Sequence, residues 1–176
     1  MERVAVFVDA GHLFAAGSAL LRSSPPKRNE IALDVEAAAA YFAATALAMT
    51  QLPLLRIYWY DGALPVGLTT DQQLLAAAPN VKLRLGVVNC HGEQKGVDAR
   101  IITDLVALAR DRAMADAVLV GGDEDLRIGI ELAQERGVRV HLLSVANANA
   151  SINLRREADT VSELIASLFV QCFPFV

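Results

Sequence analysis

Four aspartates stand where apolar, strand-like runs end or where the next helical stretch begins. Asp9 follows the first such run, and Asp123 and Asp125 follow the run at residues 117–122. Asp98 opens the helical stretch that leads into that second run. Ligands of an open α/β sheet bind outside the carboxyl ends of its strands, so these acids are expected to share one edge. Because gathered carboxylates repel one another, the pattern indicates a divalent metal ion, and phosphodiester cleavage is the simplest chemistry for it.

Each of these acids also has a purely structural interpretation. An acid directly after a strand commonly caps the following helix, and that interpretation stays open for Asp9 and for Asp98. The acidic run at 123–125, after the apolar run at 117–122, is three residues long, which is more than a helix cap needs. The two glycines before it also let a ligand approach the backbone. We therefore interpret Asp123 and Asp125 as ligands, whereas Glu124 is expected to face solvent.

Three further residues are second-tier candidates. Asp104 lies six residues after Asp98, about 120° away around a helix, so it either reaches the rim of the pocket or pairs with Arg100. His12 is close in sequence to the first acid and is a candidate for lining the pocket. Lys95 stands in a glycine-bearing loop beside the start of the helical stretch that Asp98 opens, where it is either solvated or in contact with a phosphate.

Strand-like and helical patterns alternate along the chain. The sequence predicts strands at residues 3–8, 54–60, 81–88, 117–121 and 138–144. It predicts helices at residues 11–22, 34–50, 70–78, 97–112, 124–136, 151–157 and 159–170. Asp34 is placed to cap the second helix, and Gly137 occupies a standard helix-ending position. This alternation predicts an α/β fold with a mainly parallel sheet between two layers of helices, in a single domain over residues 1–176.

Composition narrows the class of protein. The net charge of −4 argues against a broad basic surface for nucleic acid, although acids that hold a metal count as negative in this sum. Cys90 and Cys172 lie far apart with no CxxC spacing, which argues against a disulfide framework and against a thiolate zinc site. The longest nearly apolar run, 37–50, is too short to span a bilayer, and the N-terminus lacks a signal-peptide core, so a cytoplasmic protein is expected. The apolar tail at 168–176 is expected to pack on the body, on a second subunit or on a protein partner.

The segments that carry the acids resemble those of NYN-domain proteins of the LabA/DUF88 group, relatives of PIN-domain nucleases. The matching segments are residues 6–9, 58–62, 95–98, 103–105, 121–126, 137–140 and 154–159. The resemblance implies a PIN-like three-layer α/β/α sandwich and Mg²⁺- or Mn²⁺-dependent cleavage of RNA. The metal ligands and catalytic residues that it implies are Asp9, Asp98, Asp123 and Asp125. The family usually has Asn where this chain has His12, so histidine either substitutes for that Asn or marks a changed or weakened activity.

Two hypotheses of function follow. The first is a metal-dependent ribonuclease of the endonuclease type. The second is a catalytically weak or inactive regulatory or adaptor domain that binds RNA or, through the apolar tail, a protein partner. Three other site types fit poorly: a Toprim domain needs Glu in place of Asp9, and a haloacid dehalogenase needs an Asp-x-Asp pair there. The spacing of Gly11 and Gly17 does not make a dinucleotide-binding loop.

Overall fold

The computed structural model describes residues 2–21, 31–63, 67–88, 94–145, 150–164 and 171–173. At residues 20–21, 87–88 and 94–95 it describes the backbone alone.

Seven strands of the described residues form one sheet. They are β1 (Val4–Asp9), β2 (Leu54–Ala63), β3 (Val81–Val88), β4 (Gln94–Lys95), β5 (Asp116–Val120), β6 (Arg139–Val145) and β7 (Thr160–Leu164). Their order across the sheet is β4-β3-β2-β1-β5-β6-β7. All neighbouring strands are parallel except β4, a short strand that pairs antiparallel with the edge of β3. The prediction of a mainly parallel sheet is therefore confirmed.

Helices cover both faces of this sheet. They are α1 (Ala10–Leu21), α2 (Val35–Thr50), α3 (Thr70–Ala77), α4 (Val97–Arg110), α5 (Arg127–Gln134) and α6 (Ile152–Glu157). Alternate residues of a strand point to opposite faces. Accordingly Val4, Val6 and Val8 pack with α1, α2 and α3, whereas Ala5 and Phe7 pack with α4, α5 and α6. The three-layer α/β/α architecture is confirmed and is consistent with a PIN-like fold.

Local chemistry fixes three helix ends, and the sequence predicts two of them, at Asp34 and Gly137. The Asp34 carboxylate accepts a hydrogen bond of 2.9 Å from the backbone N–H of Ala37 and so caps α2. Helix α3 begins with a capping box, in which Thr69 and Gln72 satisfy each other's backbone N–H groups. Gly137 has a φ of +82°, a left-handed conformation that lets the chain leave α5 and enter β6.

The predicted helix at residues 159–170 is wrong over its described part. Residues Thr160–Leu164 form β7, which pairs in parallel with β6, and 165–170 lie outside the described residues. Asp159 sets up this pairing, because its Oδ2 accepts from the backbone N–H of Val140 at 2.7 Å and its own N–H donates to the Val140 carbonyl at 2.9 Å. Strand pairing with β6 thus decides the conformation of a segment whose β-branched Thr160 and Val161 also favour a strand.

The other differences between the predicted and the observed elements are smaller. Strand β2 continues through Asp61 and Gly62, three residues beyond its predicted end at Tyr60. In the predicted polar loop at 89–96, residues 94–95 pair as β4, and 89–93 lie outside the described residues, as do the predicted helix break at 23–26 and Cys90. In the part of the chain that the structure describes, no helix is long and apolar enough to cross a membrane.

The described part of the apolar tail packs on the body of the protein. Cys172 and Phe173 are buried, and the Phe173 ring meets the Phe14 ring edge to face with centroids 5.1 Å apart. The backbone carbonyl of Cys172 accepts from the N–H of Asp34 at 2.9 Å, which ties the tail to the start of α2. The rest of the tail lies outside the described residues, so a contact with a second subunit or a partner stays a prediction, as does a cytoplasmic location.

Candidate active site

The candidate site lies where the order of strands along the sheet reverses. Strands β2 and β3 lie on one side of β1, and β5, β6 and β7 lie on the other. Helix α1, which follows β1, and helix α5, which follows β5, pack on opposite faces. The loops after β1 and β5 therefore diverge and leave a crevice, which is where open α/β sheets bind ligands. A cleft of about 320 Å³ opens there, lined by Asp9, Gly11, His12, Val97, Asp98, Gly122 and Asp123.

Asp9 is the last residue of β1 and only 7% of its surface is exposed. Its Oδ1 accepts a hydrogen bond of 3.1 Å from the backbone N–H of His12, so Asp9 caps the first turn of α1. Burial raises the pKa of Asp9; the backbone N–H groups of His12 and Gly11 oppose this rise, and the charges of Asp123 and Asp61 add to it. The capping interpretation and a ligand role are therefore compatible, because Asp9 caps the turn and still borders the cleft.

Asp98 lies in the first turn of α4 without capping it. The N-cap is Gly96, which has a φ of +77° and offers no side-chain cap, so the interpretation of Asp98 as an N-cap is wrong. Burial raises the pKa of Asp98 to about 6, with further contributions from the charges of Asp9, Asp123 and Asp125. The fold therefore holds Asp98 close to three other carboxylates, and a helix-capping hydrogen bond does not explain its position.

Asp123 and Asp125 differ in where they stand. Asp123 caps the 3₁₀ turn Glu124–Leu126, because its Oδ1 accepts from the backbone N–H of Asp125 at 3.2 Å. Both residues are exposed, but only Asp123 lines the cleft. Asp125 is nevertheless near enough for its charge to raise the pKa of Asp98. The structure thus brings Asp9, Asp98 and Asp123 into one cleft and leaves Asp125 beside it.

His12 packs against the backbone of Gly122 across the cleft. A β-carbon built on Gly122 would lie 2.3 Å from Cε1 of the His12 ring, so this approach requires glycine. Burial lowers the pKa of His12, against an opposing effect of the Asp123 charge, so the ring is neutral at pH 7. Its Nε2 is buried and has no hydrogen-bond partner among the described residues, and an unsatisfied buried nitrogen costs about 1–3 kcal/mol. A group bound in the cleft would remove that cost.

The donor set of the cleft fits a hard divalent cation in charge and chemistry. Carboxylate oxygens are the ligands that Mg²⁺ and Mn²⁺ prefer, and a bound cation would offset the cost that burial, and to a lesser degree the neighbouring carboxylates, imposes on ionised Asp9 and Asp98. Among the described residues, however, no three His, Cys, Asp or Glu side chains converge as a ready-made metal site. Carboxylates that line the cleft would therefore have to rotate inward to share one ion.

The second-tier candidates Asp104 and Lys95 do not line the cleft. Asp104 accepts a hydrogen bond of 3.0 Å from the Tyr60 hydroxyl, and its Oδ2 lies 3.0 Å from Nε of Arg84. Asp104 therefore pairs with Arg84 on β3. It does not pair with Arg100, which was one of its two predicted alternatives. Lys95 lies in β4, and its side chain is outside the described part of the chain.

The profile of the NYN domain family matches residues 3–165, nearly the whole chain. This chain belongs to the NYN domain family. The match agrees with the resemblance carried by the acidic motifs, whereas assignment to the LabA/DUF88 subgroup stays a prediction. NYN domains are generally nucleases.

The similar proteins do not add a function to this NYN domain. The uncharacterized protein y4oD of Sinorhizobium fredii (strain NBRC 101917 / NGR234) is 52% identical over 98 residues. That stretch covers 54% of this chain and 46% of y4oD, so the match spans about half of that relative's length. The crystal structure of VPA0982, a protein of unknown function from Vibrio parahaemolyticus RIMD 2210633, has a TM-score of 0.65 at 20% identity, with 93% of each chain covered. This likeness shows the fold alone.

Asp61 and Glu124 lie near the NYN cleft, and neither was identified as a site residue from the sequence. Asp61 is buried, its Oδ1 accepts from the Gly62 N–H at 2.8 Å and its Oδ2 accepts from Nε2 of Gln72 at 3.0 Å. Its charge contributes to the raised pKa of Asp9. The signal for it was available, because Asp61 also ends an apolar strand-like run, as Asp9 does.

Glu124 does more than face solvent. Its carboxylate accepts hydrogen bonds from the Ser151 hydroxyl and, at 3.0 Å, from Nε of Arg127. The backbone N–H of Ser151 in turn donates to the carbonyl of Gly122 at 2.9 Å. The pKa of Glu124 is lowered, chiefly by the bond from Ser151. Glu124 and Ser151 thus hold the loop that carries Gly122 and Asp123, a link across 27 residues that no local motif indicates.

Proposed function

We propose that this NYN domain is a metal-dependent ribonuclease that hydrolyses phosphodiester bonds within RNA chains. The observation that carries the proposal is that Asp9, Asp98 and Asp123 all line one cleft at the switch point of the sheet. These acids come from three separate segments, and burial and mutual repulsion raise the pKa of two of them. Perturbed acids in a cleft are typical of a functional site, and packing alone offers no reason to gather them.

The ion would be held by Asp9, Asp98 and Asp123, with Asp125 at the rim. When bound, a Mg²⁺ or Mn²⁺ ion would polarise the phosphate, activate a water for in-line attack and stabilise the leaving oxygen. In the metal-free protein Asp9 and Asp123 each hold a backbone hydrogen bond in the turn that they cap. Both carboxylates would rotate inward from these positions to share one ion.

The remaining lining residues suit a phosphate group. Gly11 presents backbone without a side chain at the cleft, and the space that a side chain at Gly122 would fill holds the His12 ring instead. His12 is neutral and has an unsatisfied ring nitrogen, which can donate to a phosphate oxygen or accept from a water according to its tautomer. This nitrogen is the counterpart in this chain of the Asn amide that the family usually places there.

The test is cleavage of a pool of labelled single-stranded and structured RNAs with Mg²⁺, Mn²⁺ or EDTA. We expect metal-dependent cleavage that falls more than ~100-fold in Asp9→Asn and in Asp123→Asn, since loss of even outer-shell groups costs 10–100-fold. Asp111→Asn is the matched control, because Asp111 is an exposed aspartate at the far end of α4. Full activity in a folded Asp123→Asn protein would refute the assignment.

An adaptor without turnover is the second candidate. It is favoured by the cleft acids, which line one space without converging as a metal site among the described residues, and by His12 in place of Asn. Under this candidate Mn²⁺ raises the melting temperature of the wild type and not of Asp123→Asn, yet no RNA in the pool is cut. Metal-dependent cleavage by the wild type would reject it.

A further inference from the structure

A row of basic side chains crosses the face of β2 and β3 beside helix α4. The register pairs Tyr58 with Lys82 and Tyr60 with Arg84, and Arg56 lies two residues before Tyr58 on the same strand. Because alternate residues share a face, Arg56, Lys82 and Arg84 all lie on the face that α4 packs against. The guanidinium groups of Arg56 and Arg84 each lie 5.9 Å from the centroid of the Tyr58 ring. The aromatic ring therefore holds two of the three cations in place.

This row ends level with the candidate active site. The register pairs Asp9 with Tyr60 and Tyr60 with Arg84, so Arg84 stands beside Asp9 at a distance of two strands, roughly 10 Å. Arg56 lies four residues before Tyr60, about 13 Å back along the sheet. Asp9 points to the same face as these cations, since it alternates with Ala5 and Phe7 on β1. Tyr60, which lies between Arg84 and Asp9 in the register, is buried against α4, so a chain that leaves the row reaches the cleft around the start of α4, where Val97 and Asp98 line it.

The positive charge of this row is largely unopposed. Arg56 and Lys82 are exposed, and within the described residues neither forms an ion pair with a carboxylate. Arg84 is about one-third exposed; its Nε lies 3.0 Å from Asp104 as an ion pair without the geometry of a directed hydrogen bond. Arg100 is exposed one helical turn before Asp104 on the same side of α4 and adds a further positive charge.

We infer that Arg56, Lys82 and Arg84 form a phosphate-binding track that guides single-stranded RNA into the cleft. The inference rests on the proposed ribonuclease function. A cleft of about 320 Å³ suits one strand rather than a duplex. Tyr58 is only 5% exposed, so its ring is closed to base stacking and the track contacts the sugar-phosphate backbone. Backbone contacts carry no sequence information, so binding along the track is independent of base sequence and weakens with salt.

The test measures binding of a single-stranded 20-nucleotide RNA with a 5′ fluorescent label, in EDTA and at several salt concentrations. Fluorescence anisotropy reports the fraction of RNA bound. The main variant is Arg56→Gln/Lys82→Gln, which changes two exposed side chains. Each lost phosphate contact lowers the salt slope by ~0.7, so at ~0.1 M salt the double variant should bind about 25-fold more weakly. Arg84→Gln should weaken binding about fivefold by the same reasoning.

Arg136→Gln is the matched control, because Arg136 is an exposed arginine beyond the end of α5, on the other half of the sheet. It should bind RNA as the wild type does. Equal binding by the double variant and the wild type, an equal loss in Arg136→Gln, or no RNA binding by the wild type would each overturn the inference. Tighter binding of a duplex competitor than of the single strand would overturn it too.

Binding in EDTA separates this inference from the proposed function. A wild type that binds RNA through the track but cuts none with any metal would support the track and remove the ribonuclease. A wild type that cuts RNA, together with a double variant of unchanged KM and RNA affinity, would support the ribonuclease and remove the track. Asp123→Asn should keep its track-dependent affinity even though its cleavage is lost.

Discussion

Replacement of Asp98 by Asn should stabilise the metal-free protein at neutral pH. Burial and the charges of Asp9, Asp123 and Asp125 raise the pKa of Asp98 from 3.8 to about 6 in the folded state. The ionised form is thus disfavoured by folding, so stability falls as pH rises from the unfolded pKa through the folded one. Above pH ~6 the wild type bears nearly the whole cost, and well below pH ~4 Asp98 is protonated in both states and bears none.

The magnitude follows from this shift and from the exposure of the residue. A shift of roughly two pKa units corresponds to ~3 kcal/mol, and because Asp98 is only half-buried, solvent screening reduces this to ~1.5 kcal/mol. An acid in the first turn of a helix gains ~0.5 kcal/mol from the helix dipole, which Asn would forfeit. The net gain for Asp98→Asn is therefore ~1 kcal/mol, or a rise in melting temperature of about 2–4 °C for a chain of this length.

The assay is thermal unfolding in EDTA at pH 7.5 and at pH 4, with Glu36→Gln as control. Glu36 is an exposed acid in the first turn of α2, outside the acidic cluster, so its replacement loses only the dipole effect. We expect Asp98→Asn to melt higher and Glu36→Gln slightly lower than the wild type at pH 7.5, with most of the Asp98→Asn gain lost at pH 4. A destabilised Asp98→Asn at pH 7.5, or a gain that persists in full at pH 4, would refute the account of the crowded cleft.

Two further changes probe the packing around the cleft. Gly122→Ala places a β-carbon against the His12 ring, so it should destabilise the protein by about 1–3 kcal/mol in urea unfolding. Adding His12→Ala to the same chain should restore most of that loss. If the effects of the two substitutions on the free energy of unfolding simply add, the contact is contradicted. Ser151→Ala removes the cap of α6 and the bond to Glu124, so it should cost ~1 kcal/mol and speed amide exchange at Leu154; unchanged exchange there would argue against the cap.

The central part of the sheet was predictable because its strands are buried on both faces. Such strands appear in sequence as continuous apolar runs, and β1 and the run before Gly121 are of this kind. Strand β7 lies at the edge, and its first four residues are exposed and mixed in polarity, so no such run marks it. Its pairing with β6 is set by Asp159 through contacts with Val140, and sequence periodicity does not encode contacts of that kind.

The positions of the cleft acids were predictable for a related reason. Parallel strands end at one edge, so acids that follow β1 and β5 must stand near one another. The partners of individual side chains depend instead on strand register. Asp104 pairs with Arg84 because that residue lies opposite Tyr60 on β3, and Glu124 meets Ser151 through the return of the chain after β6. Spacing along one helix could suggest Arg100 for Asp104 and could not reveal Arg84.

The central place of β1 governs when the cleft can exist during synthesis. Among the described strands of this domain β1 leaves the ribosome before the others, but its neighbour β5 begins only at residue 116. A separation of about 100 residues takes ~5–20 s to translate, and for that time the β5 edge of β1 has no neighbour. Asp9 and Asp123 meet only when this seam closes. A nascent or truncated chain therefore carries one wall of the cleft without the other, and an unpaired apolar edge that exposes it to aggregation.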